Sequence, residues 1–374
     1  MSVRRLLTPV AALALSATFI VAPVGPGLAT KAPVPVAPHT TQVALTAQPV
    51  STSGPASSVA RGRALAAVAG RTRAVQLSPA QSVPNDVAVV GLTWRKGSGA
   101  NATAEYRVRT DRGWGSWQPV HMDTSRDGDR AGTVGSDPIV LTGARAVQAR
   151  IQGTSAAMPT QPQLSVIDPG SSEADSAVGS AQPGSAAAAS QPRVYSRAEW
   201  GADETLVREA PTYAEVYGAI VHHTDGTNNY TPDQVPRILR GIYAFHVKGR
   251  GWNDIGYNFL VDKWGRTWEG RAGGVNRAVS GAHTLGFNGV TMGVSMLGNY
   301  DQVKPTSASL RAVARVIGWK ASIHGFPTMG SVWLFGKKYP RVMGHRDPNQ
   351  TDCPGRYLYA ALPTIRRLAN TYSR

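Results

Sequence analysis

The chain contains a single cysteine, Cys353, which lies eight residues after His345. The chain begins with a sequence typical of export signals, so this thiol is expected to meet an oxidising environment without a partner for an intramolecular disulfide. An unpaired thiol in such an environment is expected to oxidise unless it is occupied. A bound metal ion takes up the thiolate and protects it. The single cysteine therefore indicates a metal centre.

Such a centre needs ligands from elsewhere in the chain. His222 and His223 stand at the end of the apolar segment 217–223, which predicts a β-strand. Successive side chains of a strand point to opposite faces, so the pair faces two ways, and alternation does not decide which member joins the metal. A catalytic zinc takes about three protein ligands and keeps one position for water. The sequence thus predicts a Zn²⁺ site made of Cys353, His345 and one of the two neighbouring histidines.

The first 29 residues predict a secretory signal peptide. Arg4 and Arg5 precede a largely apolar stretch, and the small residues up to Ala29 are typical of a cleavage site. Three prolines keep the apolar run below the roughly 20 residues that a membrane-spanning helix needs. This favours cleavage over a membrane anchor. We therefore expect a secreted, extracellular protein with no stable membrane anchor after signal cleavage.

Composition divides the next part of the chain. Residues 30–85 are rich in Ala, Pro, Thr, Ser and Val and lack acidic residues, which predicts a disordered tail. Residues 86–168 contain short alternating runs separated by glycine-containing turns, which predicts a small all-β, sandwich-like domain. Trp114 and Trp117 in this domain are expected to fill its core or rim rather than to stack on a sugar. Residues 169–192 are mostly Ser, Ala, Gly and Pro and predict a linker.

Residues 193–374 alternate between strand-like and helical patterns. Beyond the strand at 217–223, apolar residues repeat at helical spacing over 235–245. A second helix is predicted to begin at residue 306 or 307, and a last helix to cover about 357–369. This order predicts an α/β domain with a mixed central β-sheet flanked by helices.

The formal net charge of the 374-residue chain is +16. A basic, exported protein suits an anionic partner, and bacterial wall polymers fit that requirement. The basic residues do not alternate with aromatic residues along one helix, and no nucleic-acid-binding motif is present, so we expect no nucleic-acid partner.

Several short motifs occur in one order through residues 193–374. These motifs are residues 195–201, 221–224, 245–246, 251–259, 268–271, 281–283, 293–300, 344–347 and 351–355. In their order and content, they resemble the peptidoglycan recognition protein family, within the zinc-dependent type 2 N-acetylmuramoyl-L-alanine amidases.

The resemblance implies an activity and a set of site residues. The implied reaction is hydrolysis of the amide between the lactyl group of N-acetylmuramic acid and the L-alanine of the stem peptide. By position, His222, His345 and Cys353 match the zinc ligands of the family. Tyr257 matches a tyrosine near the metal that amidase activity requires, and Thr351 matches a position two before the cysteine.

Four further residues are candidates for substrate binding. His246 and His283 fall where the family has its peptide-binding groove, and each either contacts the muropeptide or is a hydrogen-bonded histidine beneath it. Trp252 either stacks on sugar or packs its loop. Arg271 is either a clamp for a substrate carboxylate or a surface charge.

The leading hypothesis is therefore a secreted, cell-wall-associated and monomeric Zn²⁺ amidase that acts on peptidoglycan and its muropeptides. The alternative is a non-catalytic peptidoglycan-binding protein, because family members that lose a zinc ligand only bind. A purely structural zinc would require a fourth protein ligand, for which His223 is the one candidate.

Overall fold

The computed structural model describes most of the chain, namely residues 34–48, 73–99, 101–123, 132–179 and 190–374. These residues form a β-sandwich followed by an α/β part. The predicted signal peptide, residues 1–29, lies outside the described residues. Within the described ranges, no helix is long and apolar enough to cross a bilayer.

The sandwich consists of two antiparallel sheets. Its strands are β1 (His39–Ala44), β2 (Thr46–Gln48), β3 (Arg73–Leu77), β4 (Gln81–Ser82), β5 (Val87–Arg95), β6 (Thr103–Thr110), β7 (Gly113–Trp114), β8 (Gln118–Pro119), β9 (Met122–Asp123), β10 (Thr133–Ser136), β11 (Ile139–Thr142), β12 (Ala146–Thr154) and β13 (Gln163–Asp168). One sheet has the order β1-β13-β5-β10-β9, with β11 also paired to β5. The other has the order β2-β3-β12-β6-β7, with β4 paired to β12 and β8 to β6. The predicted all-β sandwich-like domain is confirmed.

Part of the sandwich is formed by residues whose composition predicts a disordered tail. Residues 30–85 are predicted to form a disordered tail, whereas β1 to β4 lie within that range. The reason is a long-range pairing: β1 lies against β13, with His39 opposite Asp168. Local composition carries no signal of a partner strand so far along the chain.

Trp114 and Trp117 of the sandwich lie outside its core, whereas Trp94 is buried within it. Trp114 is 37% exposed. The guanidinium of Arg107 lies 4.7 Å from the centroid of the Trp114 ring and 4.6 Å from that of Trp117. Both rings thus form part of a cation–π layer on the second sheet rather than filling the interior.

The α/β part is built on a mixed sheet. Its strands are β14 (Val194–Tyr195), β15 (Ala219–His223), β16 (Phe259–Val261), β17 (Thr267–Glu269), β18 (Met292–Met296), β19 (Ser331–Leu334), β20 (Lys337–Pro340) and β21 (Val342–Gly344). The order of the sheet is β14-β17-β16-β18-β15-β21, and β19 and β20 form a separate hairpin. The predicted mixed sheet is confirmed.

The helices are α1 (Glu173–Gly179), α2 (Val235–Ala244), α3 (Ser307–His324) and α4 (Arg356–Tyr372). A π-helical turn at Phe245–Gly249 continues α2, and short 3₁₀ turns lie at Ser155–Ala157, Glu204–Leu206 and Pro232–Gln234. The side chain of Thr306 caps α3 by accepting a hydrogen bond from the backbone N–H of Ser309, as predicted for the start of this helix. Helix α1 lies in the segment predicted to be a linker.

One apolar cluster contains residues of both the sandwich and the α/β part. Strand β5 is buried on both faces because Ala88 and Val90 pack inside the sandwich while Val87 and Val89 pack against α2. Such double burial explains its continuous apolar run. A glycine allows the close approach, since a Cβ at Gly241 would lie 2.3 Å from a methyl carbon of Val89. The two parts are therefore packed directly against each other.

Candidate metal centre

Two parallel strands bring the candidate histidines to one edge of the sheet. Strands β15 and β21 run parallel, with Val221 opposite Gly344. His222 and His345 each follow directly on this pair. Because the carboxyl ends of parallel strands meet at the same edge, the two imidazoles lie side by side, with their ring centroids 4.6 Å apart.

A short loop returns Cys353 to the same place. The backbone N–H of Arg346 donates to the carbonyl of Cys353 over 3.0 Å and so closes the loop. The backbone N–H of Cys353 in turn donates to the hydroxyl oxygen of Thr351 over 3.2 Å. These bonds hold the thiol against the end of β15 although 130 residues separate it from His223.

The three candidate ligands converge. One donor atom each from His222, His345 and Cys353 lies within 4.8 Å of the other two, and all three side chains are buried. The Sγ of Cys353 lies 3.6 Å from the Nδ1 of His222. Two imidazoles and one thiol are a donor set that zinc prefers, with one tetrahedral position left over. The residues present therefore fit a zinc ion.

The second histidine of the pair faces away from this point. The Nδ1 of His223 accepts a hydrogen bond from the backbone N–H of Tyr300 over 3.3 Å. Its Nε2 lies 3.9 Å from a carboxylate oxygen of Asp225. Strand alternation left the choice between His222 and His223 open, and the packing around β15 places His222 with the other two candidates.

His283 contacts the Nε2 side of the His222 ring. The Nε2 of His222 lies 3.0 Å from the Nδ1 of His283, whose own Nε2 lies 3.4 Å from the carbonyl oxygen of Thr291. If His222 binds a metal through Nδ1, its Nε2 carries the proton and donates to His283, which then donates to Thr291. The arrangement selects the tautomer that a metal ligand needs. His283 is fully buried, and its predicted contact with substrate stays a prediction.

This arrangement makes a first prediction. Replacing His283 by leucine removes the nearer acceptor for His222 and leaves the Thr284 hydroxyl oxygen at 3.4 Å, and the affinity for Zn²⁺ is expected to fall about 10- to 100-fold. The variant His283→Gln keeps an acceptor oxygen and is expected to recover part of that loss. Competition with a chromophoric chelator measures both affinities, and circular dichroism checks the fold. Equal affinity for Zn²⁺ in His283→Leu and the unaltered protein would contradict the role given to His283.

Tyr257 lies beside the candidate ligands. Its ring centroid is 5.5 Å from that of His222, and the side chain is buried. Thr351 is half-buried next to Cys353. Both predicted catalytic hydroxyl groups therefore belong to residues that adjoin a candidate metal ligand.

Three further predicted site residues lie around Tyr257. The Nδ1 of His246 accepts a hydrogen bond from the backbone N–H of Gly256 over 3.2 Å, and its ring lies 4.5 Å from that of Trp252. The backbone N–H of Arg271 donates to the carbonyl of Tyr257 over 2.8 Å. All three side chains are buried. They support the segment that carries Tyr257, and direct contact with substrate stays a prediction for each.

A buried ion pair anchors the same segment, and motif matching did not indicate it. The Asp254 carboxylate accepts hydrogen bonds from the backbone N–H groups of Ile255 and Ala272 over 2.6 and 2.8 Å and lies 3.1 Å from the guanidinium of Arg197. Burial raises the pKa of the Asp254 carboxyl, and the Arg197 charge opposes that rise. Arg197 and Asp254 each lie within a motif that resembles the family, but the motifs do not indicate that the two residues pair.

Residues 212–356 match the family model described as N-acetylmuramoyl-L-alanine amidase. Peptidoglycan-recognition protein SC2 of Drosophila simulans is 33% identical to this chain over 171 residues, which are 46% of this chain and 85% of that protein. The chain belongs to the peptidoglycan recognition protein family. The resemblance found in the motifs is thereby confirmed.

Other relatives match a similar share of the chain. The N-acetylmuramoyl-L-alanine amidase of Homo sapiens is 33% identical over 180 residues, 46% of this chain and 28% of that protein. The solved structure of wild-type Drosophila PGRP-LB is 27% identical, with a TM-score of 0.38 over 46% of this chain and 93% of that one. Residues 35–174 match a family described as an N-terminal galactose-binding domain-like module.

Proposed function

We propose that this protein is a zinc-dependent N-acetylmuramoyl-L-alanine amidase that hydrolyses the lactyl–L-alanine amide of peptidoglycan. The observation that carries the proposal is the convergence of His222, His345 and Cys353 within 4.8 Å, next to Tyr257. Sequence similarity to a human N-acetylmuramoyl-L-alanine amidase over 46% of the chain supports the reaction class.

His222, His345 and Cys353 would hold the zinc ion. Bound there, zinc supplies a Lewis acid that polarises the scissile carbonyl and lowers the pKa of a water molecule. The thiolate lowers the net charge of the centre relative to an all-histidine site. We therefore propose that nearby hydroxyl groups stabilise the transition state more strongly here than they would have to beside an all-histidine centre.

The chain's own residues supply that stabilisation. The Tyr257 hydroxyl is proposed to donate a hydrogen bond to the oxyanion that develops on the lactyl carbonyl. The hydroxyl oxygen of Thr351 accepts a hydrogen bond from the backbone N–H of Cys353. The hydroxyl proton of Thr351 can then donate to the attacking water and orient it. The ion pair of Asp254 with Arg197 holds the segment that carries Tyr257 in place.

Replacing Tyr257 by phenylalanine tests this role. The ring keeps its packing and only the hydroxyl donor is lost, so kcat is expected to fall about 10²- to 10³-fold while zinc content is unchanged. Release of stem peptide from a defined muropeptide measures the rate. The matched control Tyr213→Phe alters a tyrosine that is 41% exposed and should keep the full rate. A Tyr257→Phe variant with an unaltered kcat would remove the tyrosine from the mechanism.

The alternative function is binding of peptidoglycan without cleavage. Some family members lack a zinc ligand and only bind, whereas all three ligand positions are filled in this chain. Sedimentation with insoluble peptidoglycan measures binding, and the appearance of soluble stem peptides measures cleavage. Binding without release by the zinc-loaded protein would favour the alternative.

We further propose that the protein is secreted, associates with the cell wall and acts as a monomer. The signal-like residues 1–29 and the net charge of +16 support this location. Fractionation of cells with an antibody against the α/β part, together with light scattering on the purified protein, tests both points.

A further inference from the structure

A wide cleft lies between the sandwich and the α/β part. Its volume is about 1080 Å³, and both parts line it. Tyr106, Gln118 and His121 come from the sandwich, whereas His223 and Asp352, each adjacent in sequence to a candidate zinc ligand, come from the α/β part. The cleft therefore reaches the neighbours of the metal centre.

The charge of this cleft is opposite to that of the whole chain. The described residues that line it include four aspartates, two histidines and no lysine or arginine, in a protein with a net charge of +16. The aspartates are Asp137, Asp225, Asp301 and Asp352. Carboxylates that face one cavity repel one another, and a cation placed among them would remove that repulsion.

Three of the lining side chains converge on one point. His121, Asp137 and Asp225 each offer one donor atom, and these atoms lie within 4.8 Å of one another. The Nδ1 of His121 lies 3.0 Å from a carboxylate oxygen of Asp137. Asp137 is 3% exposed, so its carboxylate is held in the wall of the cleft rather than in bulk water.

These donors are held in place by other contacts. The backbone N–H of Asp137 donates to the carbonyl of His121 over 3.2 Å, which couples the two segments of the sandwich. On the other side of the cleft, the side-chain amide of Asn299 donates to the Asp225 carboxylate over 2.5 Å. Groups that hydrogen-bond to a metal ligand and fix its orientation are typical of metal sites in proteins.

We propose that His121, Asp137 and Asp225 form a second divalent-cation site, which takes Zn²⁺ and links the sandwich to the α/β part. One imidazole and two carboxylates are ligands that zinc accepts at about 2.0–2.2 Å, and the open cleft supplies water for the remaining position. The ligands come from both parts of the chain, so a bound ion restrains the walls of the cleft beside the amidase centre. This site does not depend on the proposed amidase activity.

The test measures Zn²⁺ binding in a variant that lacks the first centre. Full-length Cys353→Ala protein is stripped with a chelator and titrated with Zn²⁺ alone, with stoichiometry read by calorimetry and by elemental analysis after gel filtration. One equivalent is expected to bind. Adding His121→Ala, Asp137→Asn or Asp225→Asn to this background is expected to weaken that binding at least about tenfold. The unaltered protein is expected to bind two equivalents.

A matched control lies in the same cleft. Asp301→Asn removes a carboxylate that is not among the three converging groups, so the Cys353→Ala/Asp301→Asn protein should still bind one equivalent. Circular dichroism of each metal-free variant checks that all of them fold alike. The proposal is overturned if Cys353→Ala protein binds no Zn²⁺, or if the ion it binds survives substitutions on both sides of the cleft. Either result leaves the amidase proposal untouched.

Discussion

Replacing Cys353 by alanine is expected to abolish amidase activity, with a fall of more than about 10³-fold in kcat/KM. In the proposed centre the thiol would contribute the one anionic ligand, and two neutral imidazoles alone would hold zinc less tightly. Loss of the ion at this centre should accompany the loss of activity. Elemental analysis and the release of stem peptides measure the two effects on the same protein sample.

The neighbouring residue supplies the control for Cys353. Asp352 is exposed, and its side chain is not among the converging donors, so Asp352→Asn should keep both the ion and the activity. Binding of insoluble peptidoglycan by Cys353→Ala protein is expected to persist, because the surface around the centre is unchanged. Full activity of Cys353→Ala protein would exclude the thiol from the centre.

Replacing Arg240 by methionine is expected to destabilise the protein by about 3–5 kcal/mol. Arg240 is fully buried in α2 and lies 2.7 Å from the carboxylate of Asp175 in α1. Its guanidinium also donates to the carbonyls of Pro169, Gly170 and Trp200. Methionine would leave a buried carboxylate without its counter-charge. The free energy of unfolding in urea measures the effect.

A double variant separates the charge from the packing. Arg240→Met combined with Asp175→Leu removes both charges, and part of the lost stability is expected to return. The rest stays lost because the carbonyls of Pro169, Gly170 and Trp200 still lack their donor. The exposed pair of Arg145 and Asp111 serves as a control, and Arg145→Met should cause no measurable change. If Arg240→Met is as stable as the unaltered protein, the segment around α1 does not depend on this ion pair.

The sequence predicted the α/β part well because its signals are local. The helical repeat at 235–245 became α2, and the cap at Thr306 became the start of α3. The apolar segment that ends in His222 and His223 became the interior strand β15, next to the edge strand β21. In each case the pattern that marks the element lies within the element or directly next to it.

The sandwich was predicted only in part because its remaining signals are non-local. β1 and β3 are short, mix polar and apolar residues without a long apolar run, and pair with strands far along the chain. The linker prediction missed α1 for a related reason. Asp175 is an ordinary polar residue in the sequence, and only its contact with Arg240 shows that this helix is anchored.

The candidate site, too, could be predicted from the sequence only in part. The lone Cys353, the histidine eight residues before it and the histidine pair at the end of a predicted strand together indicated a metal in the sequence. The role of His283 behind His222 could not be predicted, because a ligand's supporting group is identified by contact and carries no fixed spacing. The convergence of His121 with Asp225 likewise depends on how the two parts of the chain pack.

Mass analysis of peptidoglycan digested by the zinc-loaded, full-length protein tests the central claim most directly. The account predicts free stem peptides that begin with an unblocked L-alanine, together with glycan strands whose lactyl groups end in carboxylates. A chelator should stop their release, and added Zn²⁺ should restore it. Peptidoglycan that is bound by the zinc-loaded protein but releases no stem peptide, or that is cut at a different bond, would contradict the account.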